Sequence, residues 1–385
     1  MKTVLISGGS IAGPALAYWL RRRGFAPTVV ERNPAPRLGG QAIDIRGAAL
    51  DVIDRMGLGD QVRAARTRMR GMTVLDRDGN ELDRTTERTF TGGRFDSTDV
   101  ELMREDLSRI VVGATRDDVE YIYGDSIATL DEDEEGDRNG DGDGDGDGHG
   151  VRVTFERGAP RTFDYVVGAD GLHSTVRALA FGPEQPLLHR LDGQIAIFSA
   201  ENFLDLENWQ IFVTDEEALF ALIAYPVPDN SELRITLGFN ADLTDYDHRD
   251  TEAHKALAAD RLSTLGWESR RLLKYLAAST DFYFDTMAQV RMEHWSKGRV
   301  TLVGDAGYCP SPATGQGTSL ALVGAYVLAD SLAAADGDHR VAYARTEDRM
   351  RPFIRLNQSL VGRDPVDPAT EAARDHAKSA ISLDG

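Results

Sequence analysis

Residues 1–32 read MKTVLISGGSIAGPALAYWLRRRGFAPTVVER. The apolar run at 3–7 (TVLIS) stops at two glycines. Apolar residues then recur at helical spacing from Ile11 through Leu16 to Leu20, and a second apolar run, PTVVER, fills 27–32. Strand, turn, helix and strand within about thirty residues make the βαβ unit of a parallel sheet. The turn is Gly8-Gly9-Ser10-Ile11-Ala12-Gly13. A G-x-G-x-x-G loop at this place aims backbone N–H groups and a helix N-terminus at a pyrophosphate. Ser10 stands where that pattern has its second glycine, but a serine is small and its hydroxyl can donate. Glu31 ends the second strand, 23 positions after Gly8, where a carboxylate accepts hydrogen bonds from ribose hydroxyls. A bare tight turn with a surface acid is the alternative; strand, helix, strand and acid in register favour a bound nucleotide.

Further strands are expected at 72–76, 119–123, 151–155 and 164–168. After residue 190 closely spaced apolar runs at 194–200, 209–214, 218–225 and 233–240, with turn residues between them, predict a mostly antiparallel sheet in a separate layer. A helical stretch at 251–278, a strand at 299–304, a long helix from about 315 to 335 and a helical 340–360 follow, and 363–385, with its prolines and mixed charge, reads as a partly disordered tail. The expected class is α/β: a Rossmann-like domain on a parallel sheet, plus a smaller domain on a mostly antiparallel one.

The chain has 385 residues, 41% apolar and 28% charged, which excludes a wholly disordered or collagen-like protein. No run approaches the ~18 consecutive apolar residues of a membrane span, and the start lacks a signal peptide's apolar core, so a cytoplasmic address is expected. The net charge of −20 argues against nucleic acid or an anionic membrane as partner. Residues 131–150 (DEDEEGDRNGDGDGDGDGHG) carry −9 of it. Asp141, Asp143, Asp145 and Gly146 open like a calcium loop, but the twelfth position is Arg152 instead of a bidentate Glu. A solvated hairpin insertion is the expectation. The lone cysteine, Cys309, has no partner for a disulfide, and the eight histidines show no H-x-x-x-H or H-x-H spacing, so no metal site is expected.

Two more segments complete a pattern. DYVVGADGLHSTVR (164–177) puts Asp170 and Gly171 after a strand, and GRVTLVGDAGYCPSPATGQG (298–317) puts Asp305 after another, with Gly315 and Gly317 before a helix. With the N-terminal loop these resemble the three fingerprints of the class A flavoprotein monooxygenases, the para-hydroxybenzoate hydroxylase fold, over about residues 1–335. ELMREDL at 101–107 is similar to the family's arginine-bearing helix start. Length, GGQAIDIRG at 39–47 and the lack of an extra C-terminal domain look most similar to the tetracycline-inactivating and aromatic polyketide hydroxylases.

The resemblance implies FAD, with Gly8, Ser10, Ile11, Ala12 and Gly13 around its pyrophosphate, Glu31 on the adenosine ribose and Arg32 along the adenine. Arg104 would meet the ribityl or phosphate, Asp305 the ribityl chain, and Pro312, Gly315 and Gly317 the isoalloxazine. Asp170 is a weaker candidate, with helix capping as its other role. The implied reaction is oxygen transfer from a flavin hydroperoxide, formed with NAD(P)H and molecular oxygen, to an aromatic or enolic polycyclic small molecule. No side-chain catalytic dyad is expected, since the flavin carries the chemistry. A reductase or oxidase on the same fold, and a non-catalytic flavin-binding protein, stay open. The implied division is 1–70, 101–180 and 285–338 for FAD, 71–100 and 181–284 for substrate, and a helical 339–385; a monomer and a dimer are both compatible.

Substrate contacts rest on strand alternation. Gln194 and Phe198 share a face, as do Gln210 and Phe212, and Arg234 and Thr236. Alternation does not say which face is inward, and a solvent face explains the polar set equally well. Phe282, Phe284 and Met287 could wall the same cavity or pack the core, and Cys309 reads as a buried, inert thiol.

Overall fold

The computed structural model describes residues 1–37, 39–132, 150–215, 219–241, 247–362 and 368–384. Strand Thr3–Ser7 is β-rich and apolar and pairs in parallel with both Ala26–Glu31 and Tyr165–Gly168. Strands Glu120–Tyr123 and Val300–Leu302 extend the parallel sheet on either side, and a two-residue antiparallel strand, Ser296–Lys297, closes one edge. Leu5, Ile6, Val29, Val30, Val166 and Val167 are at most 1% exposed. Apolar side chains on both faces are what a parallel sheet between helices requires; each is worth roughly 1.5–3 kcal/mol when fully buried.

Helix Ala12–Arg22 covers one face, and helix Gly317–Ala334 packs against it through Trp19 and Tyr326, whose rings meet edge to face at 4.9 Å. Gly317–Ala334 is apolar nearly all round because helix His339–Gln358 covers its other side. It is long and apolar enough to cross a membrane by composition, yet most of it is buried inside the protein.

The second large sheet has seven strands, in the order Tyr283–Val290, Leu188–Glu201, Glu232–Phe239, Phe220–Pro226, Gln210–Asp215, Met72–Leu75 and Glu81–Thr85. All pairings are antiparallel except Gln210–Asp215 with Met72–Leu75. Helices Thr251–Ser263 and Ser269–Ala278 lie on one face, where Leu262, Leu272 and Leu276 meet Phe198, Leu222, Ile235 and Leu237. The expected helical stretch at 251–278 is thus two helices, separated around Gly266.

Two expectations need correction. Tyr283–Val290 is one strand of this sheet, so a boundary between 284 and 285 cuts a continuous element. The tail contains a helix, Pro368–Lys378, anchored where Lys378 Nζ donates to Asp99 Oδ2 at 3.0 Å. The acidic tract at 133–149 lies outside the described residues; strands Ile127–Glu132 and Val151–Phe155 on either side of it pair antiparallel.

Candidate active site

One cavity of about 1550 Å³ runs from the first turn, along the C-terminal ends of the parallel strands, to the open face of the seven-stranded sheet. A small-molecule pocket is roughly 300–1,000 Å³, so this cavity has room for a dinucleotide and a second molecule.

At one end Gly8, Ser10, Ile11 and Ala12 line the wall. Gly8 has φ +113°, and a Cβ on it would lie 2.3 Å from the carbonyl oxygen of Ala169, so the first two fingerprints touch backbone to backbone. Gly13 does not line the cavity. A Cβ there would lie 1.9 Å from the Gly8 oxygen, so this glycine lets the helix start directly under the loop. Glu31 accepts from the Gly9 N–H at 2.7 Å and from the Asn33 N–H at 2.9 Å, which places its carboxylate at the rim beside Arg32. Ser10 replaces glycine without blocking the cavity, and its Oγ accepts from Arg104 Nη1 at 3.3 Å.

Arg104 begins helix Arg104–Gly113, and its Nη2 donates to the carbonyls of Arg37 and Gly39, both at 2.8 Å. Its Nε is buried without a partner among the described residues. Burial, with Arg37 nearby, pulls the guanidinium down to about 10. Asp305 follows the last parallel strand; burial pushes its carboxyl up, with the Cys309 thiol opposing as a hydrogen-bond donor. Pro312, Gly315 and Gly317 carry the wall onward. Gly315 has φ +64° and nothing closer than 3.7 Å to its Cβ direction.

These groups fit FAD on structural grounds. Helices Ala12–Arg22 and Gly317–Ala334 both start at the cavity with no side-chain cap. First-turn N–H groups without intrahelical partners suit phosphate and a flavin edge that gains negative charge. The orphaned Arg104 Nε offers one further donor.

A family model described as an FAD binding domain matches residues 1–342. A flavin-dependent monooxygenase from an unknown prokaryotic organism is 39% identical over 362 residues, 93% of this chain and 88% of that protein. The chain belongs to the FAD-dependent monooxygenases. A protein of Mycobacterium tuberculosis (strain ATCC 25618 / H37Rv) described only as uncharacterized is 49% identical, over 94% of this chain and 93% of its own. The crystal structure of tetracycline destructase Tet(51) matches with a TM-score of 0.87 and 31% identity, covering 100% of this chain and 99% of that one.

Beyond the cofactor loops, this monooxygenase's cavity is walled by residues that the sequence reading did not single out. Asp44 and Arg46, on and just after strand Ala42–Ile45, form a buried pair at 2.8 Å, with Asp99 3.6 Å from Arg46. Burial raises the Asp44 carboxyl against the pull of Arg46. His173 Nδ1 meets Glu184 at 3.0 Å and Nε2 meets Asp285 at 3.0 Å, while its ring stacks on His248 at 4.2 Å. Burial lowers this imidazole, but its hydrogen bonds to Asp285 and Glu184 outweigh that and bring it to about 9. Helix Pro368–Lys378 contributes Glu371, Arg374 and Lys378. Asp44 and Arg46 lie inside GGQAIDIRG at 39–47 and His173 inside the second fingerprint, while the others belong to no contiguous motif.

Of the six expected substrate contacts, Thr236 lines the cavity. Phe198 is fully buried in the helix-covered core, and Gln194 pairs opposite Phe239 of that core, so both face away from it. Arg234 shares the face of Thr236, but its guanidinium is used up by Gly40, Ser199, Glu232 and Glu105. It braces the sheet against the FAD-side loop. Gln210 and Phe212 lie beneath a hairpin at 88–94 that lines the cavity in their place. Phe282, Phe284 and Met287 line it directly. Asp170 accepts from the Val176 N–H at 3.1 Å and from Ser174, a capping role. Cys309 is buried and its thiol is pushed well up by burial, as suits an inert group.

Proposed function

We propose that this monooxygenase uses NAD(P)H and molecular oxygen to hydroxylate an aromatic or enolic polycyclic small molecule of the tetracycline or polyketide type. The observation that carries the reading is the continuity of the cavity, from the FAD loops to an apolar floor of Ile195, Ala221 and Ile223 under the antiparallel sheet. FAD, once reduced, supplies the activation of oxygen. Glu31 would accept from the adenosine ribose and Asp305 from the ribityl chain, while Arg104 and the start of helix Ala12–Arg22 would hold the pyrophosphate. The start of helix Gly317–Ala334 would stabilise negative charge at the flavin's pyrimidine edge. The apolar floor excludes water and holds a flat substrate against the ring. Similarity to tetracycline destructase Tet(51) supports the substrate class.

The test is NAD(P)H oxidation by FAD-loaded protein, with and without tetracyclines, anthracycline-like aglycones and simple phenols, followed by product masses. Stimulated oxidation and a product heavier by one oxygen atom are expected. Hydroxylation that proceeds without NAD(P)H would overturn the reading.

A further inference from the structure

We propose that the hairpin at 88–94 is the size-selecting roof of the substrate compartment, and that Gln210 and Phe212 are the positioning residues that fix it. The proposal rests on the cavity being the substrate site of the oxygenase. The hairpin cannot hold itself. Its ladder is two pairs long, Arg88 with Arg94 and Thr89 with Gly93, and even longer isolated hairpins are marginal in water.

Gln210 supplies what the ladder lacks. It is fully buried at the start of strand Gln210–Asp215, and both ends of its amide go to the turn. Its Oε1 accepts from the Phe90 N–H at 2.7 Å, and its Nε2 donates to Thr91 Oγ1 at 2.9 Å. Leaving either end unpaired in a buried site is costly, so the amide and the turn fix one another. Two residues on, and on the same face, Phe212 stacks on Phe90 with ring centroids 4.4 Å apart and planes 13° apart.

The hairpin packs directly on this strand of the sheet, beside the floor. Phe212 pairs with Ile223, and Ile223 pairs with Thr236, so the residues that hold the hairpin continue the floor. A Cβ on Gly93 would point to Arg46 Nη1 at 3.9 Å, and one on Gly315 to Arg46 Nη2 at 3.9 Å, which sets the turn next to the flavin-side loop. Phe90 lines the cavity and is still 40% exposed. An aromatic face held open there suits the flat ring system of a polycyclic substrate. The position of the roof, and with it the size of substrate admitted, is set by Gln210, which does not itself line the cavity.

Hydrogen–deuterium exchange on the full FAD-loaded chain reads the anchor directly. In Gln210→Met the Phe90 amide loses its acceptor and is expected to exchange about 10-fold faster, the factor carried by a hydrogen bond of about 1.4 kcal/mol. Amides of strand Phe220–Pro226, and FAD affinity by flavin fluorescence, are expected to keep wild-type values. With tetracycline as the probe, Gln210→Met and Phe90→Ala are both expected to raise KM about 10-fold with kcat held within about twofold. Gln210→Glu, which keeps an acceptor for the Phe90 N–H, recovers part of the loss. Unchanged Phe90 exchange in Gln210→Met overturns the proposal, as does a fall in kcat at constant KM. If Gln210→Met does not fold, Phe212→Leu, which loosens the Phe90 ring and keeps the amide acceptor, is read by the same rise in KM at constant kcat. A wild-type chain that does not turn over tetracycline counts against the substrate class, and the exchange result then decides the roof by itself.

Discussion

Gly13→Ala places a single methyl group between two pieces of backbone. The new Cβ would lie 1.9 Å from the Gly8 carbonyl oxygen and 3.2 Å from Ile6 Cγ2, so at least 1.1 Å must open to reach the 3.0 Å limit of real contacts. Neither side yields easily. Gly8 is tied by its N–H to the Val30 carbonyl at 2.8 Å and backs onto Ala169, and helix Ala12–Arg22 is buried from Ala12 to Leu20. Overpacking a core by a methyl typically costs 1–3 kcal/mol, and a clash of backbone with backbone belongs at about 3 kcal/mol. The displaced groups are the N–H donors proposed for the pyrophosphate. FAD dissociation constants, measured by flavin fluorescence quenching, are therefore expected to rise roughly 100-fold, with the melting temperature of the apoprotein lower by a few degrees. Gly113→Ala is the control. It ends helix Arg104–Gly113 with nothing within 4 Å of the added Cβ, and is expected to be neutral or to stabilise by up to about 1 kcal/mol. Wild-type FAD affinity and melting temperature in Gly13→Ala would refute the close-packed loop and its link to the cofactor.

Asp305→Ala removes the carboxylate proposed for the ribityl hydroxyls, and the purified protein is expected to come without bound FAD; full flavin occupancy would show that the carboxylate is not a ligand. His173, raised from 6.5 to about 9 by Asp285 and Glu184, contributes stability that is complete below about pH 6.5 and is lost as pH rises through 9. Urea unfolding is expected to show a loss of about 2–3 kcal/mol between pH 6 and 10, and the same slope in His173→Asn would refute the assignment. Deleting 137–148 is expected to leave the melting temperature and FAD affinity unchanged, because strands Ile127–Glu132 and Val151–Phe155 pair outside that segment; an unfolded product would refute this.

The loops at the first-turn end of the cavity were legible because their information is local. Gly8, Gly13 and Glu31 occupy fixed offsets from the first two strands, Asp305 was singled out by the family resemblance, and the direction of Gly13, inward to the loop, needed three dimensions. The tail helix had a signal that composition obscured. Pro368 is the first residue of helix Pro368–Lys378, where its fixed φ and missing N–H cost nothing, so that proline marked a start and not a break. The hairpin at 88–94 carried no signal at all, since two paired residues have no periodicity to detect.

The substrate sheet lies between these cases, and its ambiguity had a resolution within the chain. Period two divides each strand into two faces but does not name the inner one. The helical stretch at 251–278 follows the sheet directly, and its buried Ala258, Leu262, Leu272 and Leu276 need an apolar surface to cover. The alternate residues able to supply one are Phe198, Leu222, Ile235 and Leu237, which assigns that face to the helices and removes Phe198 from the cavity. What remains is the face of Gln210, Arg234 and Thr236, of which Gln210 and Arg234 are almost completely buried despite their polarity. Buried polar groups must be satisfied, and here Gln210 is satisfied by the hairpin and Arg234 by the FAD-side loop and its acids. A polar, buried face opposite a helix-covered one therefore marks the side on which the second wall of a cavity is built, and its polar residues hold that wall in place.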